Sequence, residues 1–172
     1  ILQGVADAYR QRPDDVSHNA TQLRERLQSG FGFGTTSPDG VTLDTTILDE
    51  AVQRLAASFD QLHGGFGSAP KFPQGMVLDF LLRQYLRDGD TNALAMAEIT
   101  LEKMARGGMY DQLGGGFHRY SIDERWLVPH FEKMLYDNAL LIDLMCEVYR
   151  ETANPLYAQR IEETIAWIAR EM

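Results

Sequence analysis

Residues 75–107 read GMVLDFLLRQYLRDGDTNALAMAEITLEKMARG, and this stretch decides the fold class. Its first part, from Gly75 to Asp88, is apolar nearly all round a helix, which predicts a helix that is buried on more than one side. A second helix is predicted from Thr91 to Gly107, because its apolar side chains recur at helical spacing. The link between the two helices is so short that they must be antiparallel neighbours.

The same pattern extends outward in both directions. Helices are predicted from Thr46 to Gly64, from Phe131 to Glu151, and from Pro155 onward, where Asn154 supplies the N-cap. Short links again favour antiparallel neighbours, so the chain is predicted to be all-α and built from helical hairpins. Hairpins of this kind occur in bundles, solenoids and toroids, and periodicity alone does not separate the three.

The chain has 172 residues and a net charge of −9. We expect no nucleic-acid partner, because a protein that binds the phosphate backbone needs a basic face. No apolar run approaches the roughly 20 residues of a membrane span, so no membrane partner is expected. The single cysteine, Cys146, excludes an intrachain disulfide framework. The resulting expectation is a soluble, cytoplasmic protein.

The links between the helices hold most of the polar and aromatic side chains that could do chemistry. Residues 60–73, 107–126 and 129–138 mix glycine, rings and ionisable groups, which is typical of a pocket for a polar ligand. The sequences GGFG at 64–67 and GGFH at 115–118 are similar, and their spacing of about fifty residues is a weak sign of stacked hairpins. We therefore expect any functional site in these loops.

The second loop has two interpretations that both stay open. In one, Arg119 and Arg125 pair with acidic neighbours, Asp123 and Glu124, and simply tie down a long loop. In the other, a histidine and a carboxylate flank a substrate, and Trp126 or Tyr120 serves as a stacking platform.

The lysines of the other two loops also allow structural alternatives. Lys71 lies between two prolines, where a surface ion pair and a ligand contact are equally acceptable. Lys133 and Asp137 are four residues apart on a predicted helix and can pair on one face. Asp60 is predicted to lie in the last turn of its helix, where the dipole disfavours a carboxylate and a partner is expected.

A metal site is not predicted. His118 and His130 are twelve positions apart, and the chain contains no His-x₃-His or His-Glu-x-x-His arrangement. We therefore expect neither a metal nor another cofactor.

Three long strings resemble one protein family. GFGSAPKFP at 65–73, YDQLGGGFHRYSIDERWLVP at 110–129 and HFEKMLYDNA at 130–139 closely resemble the spermatogenesis-associated protein 20 family, which is also described as thioredoxin-domain-containing proteins with domain of unknown function 255. The resemblance is strong over about residues 45–150. Members of this family are several times longer and resemble a thioredoxin-like domain followed by a six-hairpin (α/α)₆ toroid, similar to glycosidases and N-acylglucosamine 2-epimerases.

The resemblance implies a domain organisation for this chain. Residues 1–30 would be the helical exit from an upstream thioredoxin-like domain, residues 31–44 a loop, and residues 45–172 the first hairpins of an incomplete toroid. An arc of a ring leaves helix faces without partners, so exposed apolar surface and self-association are expected. Loops at one end of the inner helices line the substrate cleft in such toroids.

Two functions are considered for these loops, beside a purely structural role. One is action on a sugar or another polar small molecule by hydrolysis, epimerisation or isomerisation; the other is a non-catalytic platform for a redox partner or a protein substrate. The candidate catalytic residues are Asp111, His118, Asp123, His130 and Glu132. The candidate substrate-binding residues are Asp60, Phe66, Lys71, Phe72, Tyr110, Phe117, Arg119, Tyr120, Trp126, Lys133, Tyr136, Asp137 and Asn138.

Overall fold

The computed structural model describes residues 2–31 and 44–172, and the chain divides into two units, Ile1–Asp44 and Thr45–Met172. The first unit contains α1 (Leu2–Gln11) and α2 (Pro13–Phe31). Pro13 begins α2, where its missing N–H costs nothing. Of the predicted loop over 31–44, Phe31 ends α2 and residues 32–43 lie outside the described residues.

The second unit is mostly helical, which confirms the all-α prediction. Its elements, in chain order, are α3 (Thr46–Ser58), α4 (Gly75–Asp88), α5 (Thr91–Arg106), β1 (Tyr120–Ser121), β2 (Pro129–His130), α6 (Leu135–Thr152) and α7 (Pro155–Glu171). The two short strands pair antiparallel, with Tyr120 opposite His130.

Two helical hairpins form the body of this unit. Helix α4 packs on α5, and α6 packs on α7. The hairpins stack, because α4 also packs on α6 and α5 packs on α7. The loop that precedes α4 and the loop that precedes α6 lie at the same end of the stack, because Lys71 and Ser121 bond each other through their backbones.

The sequence signals at the helix ends explain these boundaries. Asp90 caps α5 by accepting the backbone N–H groups of Asn92 and Ala93. Asn154 caps α7 through the N–H of Leu156, with Pro155 at the first helical position, as predicted. Gly89 ends α4 in the left-handed conformation that glycine adopts without strain.

The core lies between the two hairpins. Helix α4 contacts both α5 and α6, which agrees with its apolar surface on more than one side. Met76 and Leu86, at its two ends, nevertheless remain exposed. The most deeply buried apolar side chains come from all four helices and from the loops, and they include Leu78, Leu81, Leu101, Met104, Leu141, Met145, Tyr157, Tyr110, Phe117 and Trp126.

The prediction that the third helix continues to Gly64 is wrong. Helix α3 ends at Ser58, and Phe59 forms an isolated bridge with Phe66 instead. The side chain of Asp60 then accepts the N–H groups of Leu62 and His63, so it offers the backbone an alternative to the helix.

The prediction that a helix begins at Phe131 is also wrong. Helix α6 begins at Leu135, because Pro129–His130 pairs with β1 and holds the chain extended. The N–H of Arg119 donates to the carbonyl oxygen of Glu132 at 2.8 Å and continues this pairing. Among the described residues, no helix is long and apolar enough to cross a membrane.

Candidate functional site

Loop 1, residues 59–74, is organised by an ion pair between Asp60 and Lys71. Lys71 Nζ lies 2.5 Å from Asp60 Oδ2 and 2.8 Å from the carbonyl oxygen of Gly64. Asp60 Oδ1 accepts the N–H groups of Leu62 and His63, each at 2.9 Å. Burial by itself would raise the pKa of Asp60, but Lys71 and these N–H groups outweigh it and lower the pKa. Asp60 therefore lies beyond the helix, not in its last turn, and its expected partner is Lys71.

Loop 2, residues 107–134, contains a second copy of this arrangement. Lys133 Nζ lies 2.7 Å from Asp111 Oδ2 and 2.7 Å from the carbonyl oxygen of Gly115. Asp111 Oδ1 accepts the N–H groups of Leu113 at 3.0 Å and Gly114 at 2.9 Å. The Gly114 N–H and the Lys133 ammonium hold the pKa of Asp111 well below its usual range. We call each of these units an Asp–Lys clamp.

The two clamps are copies of one structural unit in the sequence as well. FDQLHGGF at 59–66 matches YDQLGGGF at 110–117, and in both copies the first and last residues form a backbone β-bridge with each other. The ring centroids of Phe59 and Phe66 are 5.6 Å apart, and those of Tyr110 and Phe117 are 4.9 Å apart. The repeat predicted from the two glycine pairs is thus part of a longer one.

A tryptophan covers the glycine pair in each clamp. A Cβ on Gly65 would lie 2.6 Å from Trp126 Cζ2, and a Cβ on Gly116 would lie 2.6 Å from Trp167 Cε3. Both glycines have positive φ, at 79° and 82°, so the tight turn and the close ring contact both require glycine. The clamp lysines lie over the same rings, with Nζ 5.8 Å from the Trp126 centroid and 4.9 Å from the Trp167 centroid.

Direct hydrogen bonds join loop 1 to loop 2. Lys71 and Ser121 exchange backbone hydrogen bonds of 2.9 and 2.8 Å, which places loop 1 beside β1. Trp126 Nε1 donates to the carbonyl oxygen of His63 at 3.0 Å. Asn138 of α6 fastens loop 2, since it accepts from the N–H of Phe117 at 2.6 Å and donates to its carbonyl oxygen at 3.0 Å. The two clamped loops therefore form one connected surface.

A cleft of about 320 Å³ opens where this surface meets the N-terminal ends of α4 and α6. Loop 1 forms one wall through the residues directly after its clamp lysine, and α6 forms another through residues that closely follow Lys133. The lining residues are Phe72, Pro73, Gln74, Gly75, Met76, Val77, Arg119, Tyr136, Asp137, Leu140 and Leu141. Most of the lining is apolar, and its two charged groups are Arg119 and Asp137.

Asp137 is the carboxyl group inside this cleft. It lies in the first turn of α6 and is half-buried. Burial raises its pKa, and although Arg119 opposes this rise, Glu132 adds to it. Among the residues that the structure describes, the Asp137 carboxyl group has no hydrogen-bond or ion-pair partner.

A row of stacked rings begins at the cleft. Phe72 stacks on Tyr120 with centroids 4.6 Å apart, and Tyr120 stacks on His130 with centroids 4.8 Å apart. Glu132 supports the far end of the row, because its Oε1 lies 3.0 Å from His130 Nδ1 and 3.3 Å from Arg119 Nη1. This geometry ties the cleft arginine to the outermost ring.

His118 immediately precedes the cleft residue Arg119, but its side chain is buried, with 7 % exposure. Its ring meets Phe131 edge-on at 5.4 Å. Burial lowers the pKa of His118, and the nearby Lys133 ammonium lowers it further, so the imidazole is neutral near pH 7. Among the described residues its buried Nδ1 has no hydrogen-bond partner.

The predicted site residues fall into two groups. Phe72, Arg119, Tyr136 and Asp137 line the cleft, and Tyr120, His130 and Glu132 adjoin it through the ring row and the Glu132 bridge. The remaining residues make contacts within the protein. The clamps consist of Asp60, Lys71, Asp111 and Lys133. The side chains that pack or bond within the loops are Phe66, Tyr110, Phe117, Trp126 and Asn138, and His118 is buried.

Asp123 also acts within its loop. Its carboxylate accepts the N–H groups of Arg125, Leu127 and Val128. These backbone bonds lower its pKa although burial opposes them. The pairing of Arg119 with Asp123 or Glu124 is wrong, since Arg119 pairs with Glu132, whereas Arg125 does bond Asp123, through its backbone N–H.

The expected pairing of Lys133 with Asp137 is wrong as well. Residues 131–134 are not helical, so the spacing of four does not place the two side chains on one helix face. Lys133 instead reaches back to Asp111, with its Nζ 2.7 Å from the carboxylate. The surface ion pair considered for Lys71 is buried, since the Lys71 side chain is 1 % exposed.

Sequence reasoning missed several residues that complete the site. Trp167 covers the second clamp, and Glu163 accepts a hydrogen bond of 2.6 Å from Tyr110. This contact and burial raise the pKa of Tyr110 to about 12, with burial the larger cause. The signal that could have found the clamps is the repeated Asp-Gln-Leu before each glycine pair. Among the described residues no cluster of His, Cys, Asp or Glu is arranged to hold a metal ion.

Comparison with known proteins places the chain in a family. No protein-family model matches the chain. It is 33 % identical over 181 residues to spermatogenesis-associated protein 20 of Rattus norvegicus and of Homo sapiens, and all of the chain is covered in both cases. It is also 33 % identical over 156 residues to an uncharacterized protein of Caenorhabditis elegans, which covers 88 % of the chain. The chain spans only about a fifth of the length of these relatives. The matches to the rat and human proteins extend over the whole chain, and so over both clamped loops, and the chain belongs to the spermatogenesis-associated protein 20-like family.

Proposed function

We propose that the cleft between the two clamped loops binds a carbohydrate. One observation carries this proposal: a half-buried carboxyl group, Asp137, faces a mostly apolar cleft beside Arg119 and the exposed ring of Phe72. A sugar ring has an apolar face that can pack on an aromatic ring, and its hydroxyl groups both donate and accept hydrogen bonds. A sugar can therefore pack on the Phe72 ring and at the same time form hydrogen bonds with Arg119 and Asp137.

The proposal includes the architecture suggested by the resemblance. Stacked hairpins with loops at one end are the arrangement expected for the start of an (α/α)₆ toroid, with residues 1–30 leading into it. The cleft then lies where such a toroid holds its ligand. The activity of the whole protein, including any thioredoxin-type chemistry, is a separate proposal.

Binding is better supported than cleavage for this part of the protein. Glycosidic cleavage generally needs two carboxyl groups that flank the scissile bond. Asp111 and Asp123 are occupied by the bonds that organise loop 2, and Asp137 is the carboxylate that lines the cleft among the described residues. This observation favours the alternative function, a site that binds without turnover, for the chain taken alone. Epimerisation or isomerisation would use His130 or His118 as the base.

A nuclear magnetic resonance titration tests the binding proposal. The ¹⁵N-labelled chain would be titrated with neutral monosaccharides and disaccharides, and we expect saturable shifts of the Phe72, Arg119 and Asp137 amides. Phe72→Ala should weaken binding at least about five-fold, since it removes the ring wall. Leu62→Ala changes an exposed side chain of the same loop outside the cleft and should leave binding unchanged. Absence of saturable shifts with every sugar would overturn the proposal.

Turnover is measured on the same samples. One-dimensional spectra recorded over hours would reveal a new anomer, epimer or cleaved product. A product that disappears in His130→Ala but persists in Leu62→Ala would support an enzyme. Saturable binding without any product would support the platform.

Self-association also stays a proposal. Met76, Leu86, Leu140 and Ile165 are all at least half exposed, so the second unit carries apolar surface. Sedimentation velocity over a range of concentrations should show an association that depends on concentration. A single monomeric species at all concentrations would contradict it.

A further inference from the structure

We propose that the cleft selects a polyol that carries a protonated amine over one that carries a phosphate. This inference rests on the proposed function and adds the charge of the ligand to it. Three observations lead to it: the pairing of the nearby cations, the position of Asp137, and the donors that a carboxyl group requires.

The cations around the cleft are already paired with carboxylates. Arg119, which lines the cleft, lies 3.3 Å from Glu132 through its Nη1. Lys71 and Lys133 belong to the clamps, where their side chains are 1 % and 13 % exposed. A phosphate that entered the cleft would have to displace a carboxylate from one of these cations, and Glu132 would oppose it.

Asp137 leaves a negative charge that its neighbours do not neutralise. Arg119 pairs with Glu132 and acts on Asp137 only through its charge, so when both carboxyl groups are ionised these three groups together carry one excess negative charge. The oxygens of the Asp137 carboxyl group have no hydrogen bond among the described residues. A buried or half-buried carboxylate is stabilised by donors, and the cleft is the side from which they can come.

An ammonium group supplies what Asp137 lacks. It carries three N–H donors and a positive charge, whereas a phosphate near neutral pH offers mainly acceptors. The hydroxyl groups of the same polyol can accept hydrogen bonds from Arg119, and its carbon skeleton can pack on Phe72. The cleft is therefore matched to a neutral ring with one cationic substituent.

Three sugars that differ at one substituent test this selection. Glucosamine, glucose and glucose 6-phosphate would be titrated into the chain at about pH 6.5 and low salt, with amide shifts as the readout. We expect glucosamine to bind about five-fold more tightly than glucose, and glucose 6-phosphate to bind most weakly. Added sodium chloride should reduce the preference, because a half-exposed ion pair is screened.

Two variants connect the preference to Asp137. Asp137→Asn should remove the advantage of glucosamine over glucose while glucose still binds. Asp143→Asn changes an exposed carboxylate on the same helix that does not line the cleft, and it should preserve the advantage. An advantage retained in Asp137→Asn would overturn the inference.

The two proposals fail in different ways. Equal affinity for glucosamine and glucose, or tightest binding of glucose 6-phosphate, overturns the charge selection and leaves carbohydrate binding intact. If neither these three sugars nor the wider sugar panel shifts the cleft amides, both proposals fall together.

Discussion

The two Asp–Lys clamps have the same contacts but enclose different lengths of chain. In loop 1, Asp60 and Lys71 are 11 residues apart, whereas in loop 2 Asp111 and Lys133 are 22 apart. Both lysines bond a carboxylate and a glycine carbonyl oxygen, and both lie over a tryptophan ring. The clamp contacts therefore organise each loop, and the eleven additional residues between Asp111 and Lys133 are available for other contacts.

The additional residues of loop 2 supply the polar edge of the cleft. They include β1 and β2, and with them Arg119, Glu132 and two of the three rings of the row, Tyr120 and His130. They also include Trp126, which packs on Gly65 of loop 1. The comparison shows a structural unit used twice: the shorter copy forms one wall of the cleft, and the longer copy adds Arg119 and a tryptophan that packs on the shorter one. Because Trp126 belongs to loop 2 and packs on loop 1, we expect its replacement to have the largest effect on stability.

Trp126→Ala should lower the free energy of unfolding by about 3–5 kcal/mol. The side chain is fully buried, and it packs on one loop while belonging to the other. Urea denaturation at neutral pH measures the change. Leu127→Ala removes the next side chain, which is 55 % exposed, and should cost less than about 0.5 kcal/mol. Similar losses in the two variants would show that Trp126 does not join the loops.

Replacing each clamp lysine compares how much the two clamps contribute to the free energy of unfolding. Lys71→Met should cost about 3 kcal/mol, because it leaves Asp60 and a carbonyl oxygen without a partner in a buried site. Lys133→Met should cost less, about 1–2 kcal/mol, because its side chain and that of Asp111 are more exposed. The double variant Asp60→Asn/Lys71→Met should recover part of the loss. The reverse ranking in denaturant unfolding would mean that burial does not decide the strength of the clamps.

Substitutions at two glycines of loop 1 distinguish the cost of a clash with the tryptophan ring from the cost of a positive φ. Gly65→Ala introduces a Cβ 2.6 Å from the Trp126 ring at a positive φ, and it should cost about 2–3 kcal/mol. Gly67 also has a positive φ, of 75°, but nothing lies within 4 Å of its added Cβ. Gly67→Ala should therefore cost only about 1 kcal/mol, from the backbone alone. An equal loss of stability in Gly65→Ala and Gly67→Ala, measured by thermal unfolding, would show that the tryptophan contact does not matter.

The smallest effect is the pH dependence of the loop 2 clamp. The pKa of Asp111 is lower in the folded chain than in the unfolded chain, so the folded state binds the proton less readily. Its stabilisation is complete above the unfolded pKa of about 3.9 and is lost as the pH falls towards the folded pKa. Asp111→Asn should cost about 1–2 kcal/mol at pH 7, and this difference should shrink below about pH 4. A constant difference between wild type and variant at all pH values would contradict the assignment.

The hairpin α4–α5 is the part of the fold that local sequence describes best. The predicted helix over 75–88 is the observed one, and the Asn154–Pro155 start of α7 is confirmed. The ends of α3 and α6 could not be placed in the same way. The end of α3 is set by the side chain of Asp60, which accepts N–H groups of the turn that follows, and the start of α6 is set by the pairing of Pro129–His130 with Tyr120–Ser121. Helical periodicity in the sequence carries no signal for either contact.

The candidate site was predictable at the level of loops but not of individual roles. Phe72, Arg119, Tyr136 and Asp137 belong to the predicted set and line the cleft. Lys71 and Asp111 are a cation and a carboxylate of the same predicted loops, as Arg119 and Asp137 are, but their side chains form the clamps instead of lining the cleft. Composition does not distinguish these roles, because the choice depends on which carboxylate each cation reaches after folding.

The central claim is that both clamps hold the walls of one carbohydrate-binding cleft. Its most direct test is the dissociation constant of the tightest-binding sugar, measured by amide shifts for wild type, Lys71→Met, Lys133→Met and the control Arg83→Met. Neither clamp lysine lines the cleft, and Arg83 forms an exposed ion pair with Asp79 elsewhere on α4. We predict that each clamp variant, while still folded, binds at least about five-fold more weakly, and that Arg83→Met binds like wild type. Folded clamp variants that bind the sugar as tightly as wild type would contradict the account.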